Sequence, residues 1–252
     1  DPMTEELIHD RISFRKFLDI KEDDTIPDET TICKFRNALI KNNLLESIFL
    51  EVKNSMIKNN LILNEGTLVD ATLIHSSEPK RKKDENGKTI SNKANDEDAS
   101  YTSKRGRKHH GYKIHIATDT NSIIKEVITT TAKTHDSTQF DTLTKDETKA
   151  VFADSGYMSQ TRKRELRAKN IFNGITERRV RGQSKLRTKQ SKNNTKFSKV
   201  RALVELPFAF IKKLMKYTET KYLGLHKNSQ HVFLIAAAYN LRRMPKLIQR
   251  YE

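Results

Sequence analysis

Ala150-Val-Phe-Ala-Asp-Ser-Gly-Tyr157 decides how the chain is read. Val151, Phe152 and Ala153 read as the end of a short buried strand, and Asp154 follows where that strand runs out into Ser155-Gly156. A carboxylate at a strand end can face a cleft, or it can cap the next helical turn. Only partners elsewhere in the chain turn the first of these into chemistry.

Working outward, Thr67 to Ile74 is a β-rich run with Asp70 in its middle, and an Asp inside a buried strand is costly unless something binds it. Gly111 to Asp119 alternates apolar and polar residues, and Ile123 to Thr131 is β-branched, with Thr120-Asn121-Ser122 as a hairpin connection between them. A short helix is expected over Ser137 to Lys145, a helix over Ser159 to Lys169 and a fifth strand over Ile171 to Thr176. Three strands in hairpin order, then helix, strand, helix, strand, predict a mixed α/β sheet covered by helices. Downstream, Val200, Leu203, Val204, Phe208, Ile211, Leu214 and Met215 share a helical face. Glu205 and Lys212 lie seven residues apart on one side of it, and Pro207 starts or kinks that helix near Glu205. His231 to Arg243 is a final apolar helix.

Upstream of residue 65 the period is helical. One helix is expected over residues 5 to 20, a second capped by Asp28 or Thr30, and a third from Leu44 to about Asn59. Residues 1 to 64 therefore form a small helical domain, suited either to holding DNA or to dimerisation and packing, and residues 65 to 252 form a second domain.

The 252 residues carry 48 Lys and Arg against 32 Asp and Glu, a formal net charge of +16. Such an excess points to a polyanion, since neutralising phosphates releases counterions. The surplus sits in two basic insertions. Around residues 76–110 the sequence is polar with almost no apolar anchor and is expected to be mobile, ending in Lys104-Arg105-Gly106-Arg107-Lys108-His109-His110, with Lys113 just beyond. From Arg162 to Arg201 fifteen Lys or Arg face only Glu165 and Glu177, and residues 178–198, with Arg178, Arg179 and Arg181, read as an exposed basic arm on nucleic acid. No run of about 18 apolar residues and no signal peptide occurs, which argues against a membrane partner and for a cytoplasmic place. The lone Cys33 reads as a small buried residue. A lone histidine is ordinarily structural, so His115 and the basic His109 and His110 claim no chemistry, the last two reading as surface residues; His135 beside Asp136 has the best case for a site role.

Asp70, Asp154 and Glu205 together make three carboxylates, the hard oxygen donors that a pair of Mg²⁺ ions requires for in-line phosphoryl transfer.

The chain resembles the DDE transposases of bacterial insertion sequences, closest to the insertion-sequence-five group, whose catalytic domain has the ribonuclease-H-like fold. The similarity runs through Asp10-Arg11-Ile12-Ser13-Phe14-Arg15, Ile26-Pro27-Asp28-Glu29-Thr30-Thr31, Gly66 to Thr72, Gly111-Tyr112-Lys113-Ile114-His115, Ala153 to Tyr157, Val204-Glu205-Leu206-Pro207-Phe208 with Lys212, and Tyr222 to Asn228, so nearly the whole chain is covered in the family's order. The resemblance implies that Asp70, Asp154 and Glu205 are the metal-binding catalytic triad, served by Mg²⁺ with Mn²⁺ as a substitute. It implies cutting at insertion-sequence ends, joining to target DNA, and pairing of ends by a homodimer or larger assembly at the bacterial nucleoid. In the family's tyrosine-arginine-glutamate-lysine motif Arg201, Glu205 and Lys212 match, and Ser198 stands at the tyrosine position; Arg201 and Lys212 would contact DNA phosphate. On the same resemblance, the chain is expected to begin inside the family's N-terminal region. Two alternatives stay open: a ribonuclease-H-like nuclease that hydrolyses and never joins, and an inactive remnant that still binds DNA.

Overall fold

The computed structural model describes residues 1–252 except 64, 79–80, 84–88, 92–95, 105, 180–181 and 252, with backbone alone for 81–83, 89–91 and 251. Arg105 and Arg181, and much of the first basic insertion, lie outside the described residues. The chain forms two compact units, Asp1–Ser47 and Ile48–Glu252, divided within one helix.

The first unit holds helices α1 (Pro2–Asp10), α2 (Ile12–Phe17) and α3 (Glu29–Lys41) and the start of α4 (Leu44–Lys58). The single helix expected over residues 5 to 20 is two, because Arg11 is extended (φ −116°, ψ 111°) between α1 and α2. The apolar spacing survives such a break, which is why periodicity alone joins the pieces. Asp28 is the cap of α3: its Oδ1 accepts the Thr31 N–H at 2.6 Å. The Glu29 N–H donates to Glu5 Oε2 at 2.6 Å, tying α3 to α1, and Arg36 pairs with Asp1. Cys33, expected to be buried, is half-buried with an Arg36 N–H on its Sγ at 3.4 Å.

The second unit is built on a mixed sheet. Its strands are β1 (Thr67–His75), β4 (Ser100–Lys104), β5 (Arg107–Thr118), β6 (Ile124–Thr131), β7 (Ala150–Ala153) and β8 (Phe172–Asn173), while β2 (Arg81–Lys83) and β3 (Thr89–Ser91) pair separately. β5 is central to the antiparallel half: one edge pairs with β1, and the other pairs first with β4 and then with β6. The changeover falls at Gly111, where a Cβ would lie 2.2 Å from the Ile74 carbonyl oxygen, so no other residue lets the strands come this close. β7 and β8 complete the sheet as parallel neighbours of β1 and β7. The fifth strand is shorter than the expected Ile171 to Thr176, yet its ladder continues beyond the regular pair, with Gly174 N–H on Val151 O at 2.8 Å and Thr176 N–H on Ala153 O at 3.1 Å.

Alternation along the strands fills both faces. Leu68, Ile74, Ile114 and Ile116 pack with Val204, Phe208, Val232 and Ile235 of α8 (Glu205–Ala209), its preceding turn and α9 (Leu225–Tyr251). Val69, Ala117, Val151 and Ala153 face the other way, toward Phe140, Leu143 and Leu166 of α5 (Phe140–Leu143) and α6 (Gln160–Ala168). α9 is much longer than the expected His231 to Arg243, and its buried Asn240 donates to and accepts from the Ile124 backbone, both at 3.0 Å.

Two readings of charge are corrected here. The end of the first insertion is a packed element: Asp96 is fully buried and accepts from Tyr112 Oη at 2.6 Å, Ser76 Oγ at 3.3 Å and the Gly224 N–H at 3.1 Å. Its anchor is a polar residue, invisible to a search for apolar ones. β5 also begins at Arg107, so the basic run enters the sheet, and His110, expected at the surface, is buried against Tyr101 with ring centroids 4.6 Å apart. The second basic stretch becomes helix α7 from Thr188 to Arg201. None of its side chains is fully buried, but Val200 packs against the core and one face is committed to the sheet.

Candidate active site

The parallel register of β1 and β7 pairs Val69 with Ala153, so Asp70 comes next within β1 and Asp154 directly after the end of β7. Asp154 caps the helical turn Ser155–Tyr157, accepting the Ser155 N–H at 2.5 Å, and is exposed. Asp70 is half-buried on the same strand face as Leu68. One of its oxygens accepts the Ala71 N–H at 2.8 Å, and the other accepts Arg201 Nη1 at 2.7 Å.

Arg201 reaches Asp70 because α7 is held in one rotational setting. Gln190, Asn194, Phe197 and Arg201 recur every three or four residues and form a single stripe. Gln190 donates to Glu177 Oε2 at 2.5 Å, and Asn194 clasps the Glu177 backbone with two bonds of 2.9 Å. The Phe197 ring packs on Phe152 and Phe172, with centroids 6.1 and 5.6 Å away. Glu205, one turn past Arg201, opens α8 after the tight turn Ala202–Val204 and is exposed.

The expected break near Glu205 has a specific settlement. Pro207 has no N–H to give the Leu203 carbonyl. Ser122, in the left-handed region at φ 63° in the β5–β6 turn, donates its hydroxyl to that oxygen at 3.0 Å. The helix bearing Glu205 is thereby fastened to a hairpin on the same sheet.

Burial pushes the Asp70 carboxyl up to about 6 from its ordinary 3.8; the Ala71 N–H and the Arg201 charge oppose the rise, and the charges of Glu205 and Asp154 add to it. The charges of Glu205 and Asp154 both reach Asp70. The donor chemistry of the three carboxylates fits a divalent cation, which takes hard oxygens and relieves like-charge crowding. As arranged, Arg201 supplies that positive charge. Among the described residues no three His, Cys, Asp or Glu side chains close into a ligand set.

Comparison with known families decides what kind of cleft this is. The family described as "Transposase DDE domain" matches residues 63–241, well over half of the chain. The chain belongs to the DDE transposase family. The family described as "Transposase domain (DUF772)" matches residues 1–38. No solved structure matches the chain. The transposase is a metal-dependent polynucleotidyl transferase with the ribonuclease-H-like mixed sheet, and DNA is its partner. Among its described residues no helix is long and apolar enough to cross a membrane.

Not every expected DNA contact of the transposase gathers at this cleft. Arg201 is on Asp70, and Arg178 Nε donates to Ser155 Oγ at 3.0 Å, placing a second guanidinium at the turn that Asp154 caps. Lys212 sits half-buried in the wide helical turn Phe210–Leu214, where burial and the nearby Lys104 lower its pKa. Lys113 is turned to Thr134 O at 2.7 Å and to Asp136 at 2.9 Å, so its charge is already matched. Arg107 and Lys108 are exposed at the start of β5, and Arg179 donates to Ser184 O at 3.0 Å.

His115 is fully buried, bonded to Thr130 Oγ1 at 2.9 Å, and burial pushes it down to about 4, so it is a neutral core residue. His135 caps the turn Asp136–Gln139 through Ser137. One residue was overlooked in the sequence. The Tyr157 hydroxyl is buried with no hydrogen-bond partner among the described residues, and its pKa is raised by burial and then by Asp136, Asp70 and Asp154. Its spacing three residues after Asp154 was the available signal.

Proposed function

We propose that this chain is the transposase of a bacterial insertion sequence of the insertion-sequence-five group, cutting the element's ends and joining them to target DNA. What supports the reading is the β1–β7 register, after which Asp70 and Asp154 follow on adjacent segments, together with the Arg201–Asp70 pair four residues before Glu205. Asp70, Asp154 and Glu205 would hold Mg²⁺, or Mn²⁺ in its stead. Held there, the ions would activate the attacking oxygen and stabilise the leaving one.

The chain's own side chains do the rest. Arg201 and Arg178 flank the carboxylates and orient the phosphate of the reacting bond, and Lys212 with Lys104 holds backbone further along. Arg107, Lys108, Arg105, Arg179 and Arg181 add nonspecific phosphate contacts, and Lys113 joins them when Asp136 releases it. Residues 1–64 form the domain that binds ends or pairs copies, and residues 65–252 form the catalytic domain. The partners are the terminal inverted repeats and target DNA, brought together by at least two copies in the bacterial cytoplasm at the nucleoid.

The test is strand joining with labelled element ends and a plasmid target, with Mg²⁺ or chelator, beside Asp154→Ala. Metal-dependent joined product that disappears in the variant is expected. Cleavage without joining would make the chain a nuclease, and salt-sensitive binding without either would make it an inactive remnant.

A further inference from the structure

A groove of about 900 Å³ opens at the β8 edge of the sheet, between α6 and the N-terminal half of α7, apart from the carboxylate cleft. Six cations line it: Lys149, Lys163, Arg167, Arg187, Lys189 and Lys196. Glu177 is the one acidic residue among them, and it is already engaged by Gln190 at 2.5 Å and Lys163 at 3.5 Å. The walls are built, since Asn194 locks α7 to the Glu177 backbone and Phe197 packs on Phe152 and Phe172. Gly174 makes that floor feasible, because a Cβ there would meet the Phe152 ring at 2.3 Å. Phe172 stays 53% exposed. Like charges on a convex surface spread apart; here they converge on a rigid concavity, at a cost that a bound polyanion removes.

We propose that this groove is a second DNA track, holding the phosphate backbone of duplex DNA away from the reacting bond. The inference rests on the transposase reading. α7 links the two places, with Lys189 at the groove and Arg201 on Asp70. Twelve residues of helix at 1.5 Å each separate them by about 18 Å, or roughly five base pairs of duplex at 3.4 Å each. DNA lying on the carboxylates therefore meets the groove about half a helical turn further along.

The measurement is the salt dependence of affinity for a 25-base-pair duplex, for the wild-type chain and for Lys149→Ala/Lys189→Ala/Lys196→Ala, three exposed positions. An unchanged thermal midpoint will show that the variant is folded. Losing three phosphate contacts should cut the slope of log K against log salt by about 2.7, so the affinity lost between 50 and 200 mM salt shrinks about 40-fold. An unchanged slope in a folded variant overturns the groove proposal and leaves the transposase reading standing. Wild-type protein without salt-dependent duplex binding overturns both. Unchanged DNA binding with lost binding of polyglutamate would make the groove a site for an acidic protein and overturn the proposal.

Discussion

Asp70 and Asp119 carry the same perturbation in two regions of one sheet, and they do opposite things with it. Burial pushes both carboxyls up to about 6. Asp119, at the β5–β6 turn, is fully buried, and its two oxygens accept the N–H groups of Leu63 and Ile123, each at 2.8 Å. Asp70, in the sheet's middle, has one backbone donor, the Arg201 guanidinium, and the charges of two other carboxylates acting on it. The first organises the chain, whereas the second holds a positive charge against it. A raised pKa is therefore no signature of a site until the neighbours causing it are named.

Replacing each by asparagine should separate them by sign. In Asp119→Asn an amide nitrogen faces a backbone donor, and we expect a loss of about 3 kcal/mol in urea unfolding at pH 7.5. Asp70→Asn should gain roughly 1–3 kcal/mol at that pH while joining falls by about 10²–10³-fold or more. A carboxyl with a raised folded pKa is most favourable to folding below its unfolded value of 3.8 and loses that contribution as pH climbs through about 6. The gain in Asp70→Asn should accordingly vanish near pH 3.5. If both variants lose stability, the distinction between the two regions is wrong.

Smaller changes sharpen it. Arg201→Ala removes the charge that holds Asp70 down, so the Asp70 carboxyl followed by NMR should titrate above 6, with a stability change within about 1 kcal/mol. Ser122→Ala removes the side-chain donor from the Leu203 carbonyl and should cost about 0.5–1.5 kcal/mol, leaving the Asp119 turn in place. An unaltered stability there would mean that water replaces the hydroxyl without loss.

The sheet was legible because β-branched runs and turn residues repeat at the right intervals, and the break near Glu205 was legible because Pro207 cannot donate. The packing of the first insertion was not, since Asp96 anchors it through a phenol, a hydroxyl and a backbone N–H that lie far away in sequence. Nor was α7, whose lysines advertise solvent while its Gln190, Asn194 and Phe197 quietly recur at helical spacing. The candidate carboxylates could be named from strand position. Their present engagement with Arg201 could not, because a 2.7 Å contact between residues 131 apart leaves no trace in spacing.

The stripe on α7 makes the helix a device that stores phase. Its angle is read from Glu177 and the three phenylalanines and delivered to Arg201 about one turn after Phe197, and on to Glu205. Since each α-helical residue turns the axis by about 100°, one residue inserted after Phe197 would swing both side chains off the cleft with every carboxylate still present in the chain. Drift in the length of this segment would then silence the site as thoroughly as losing an aspartate, and a census of acidic residues would not notice.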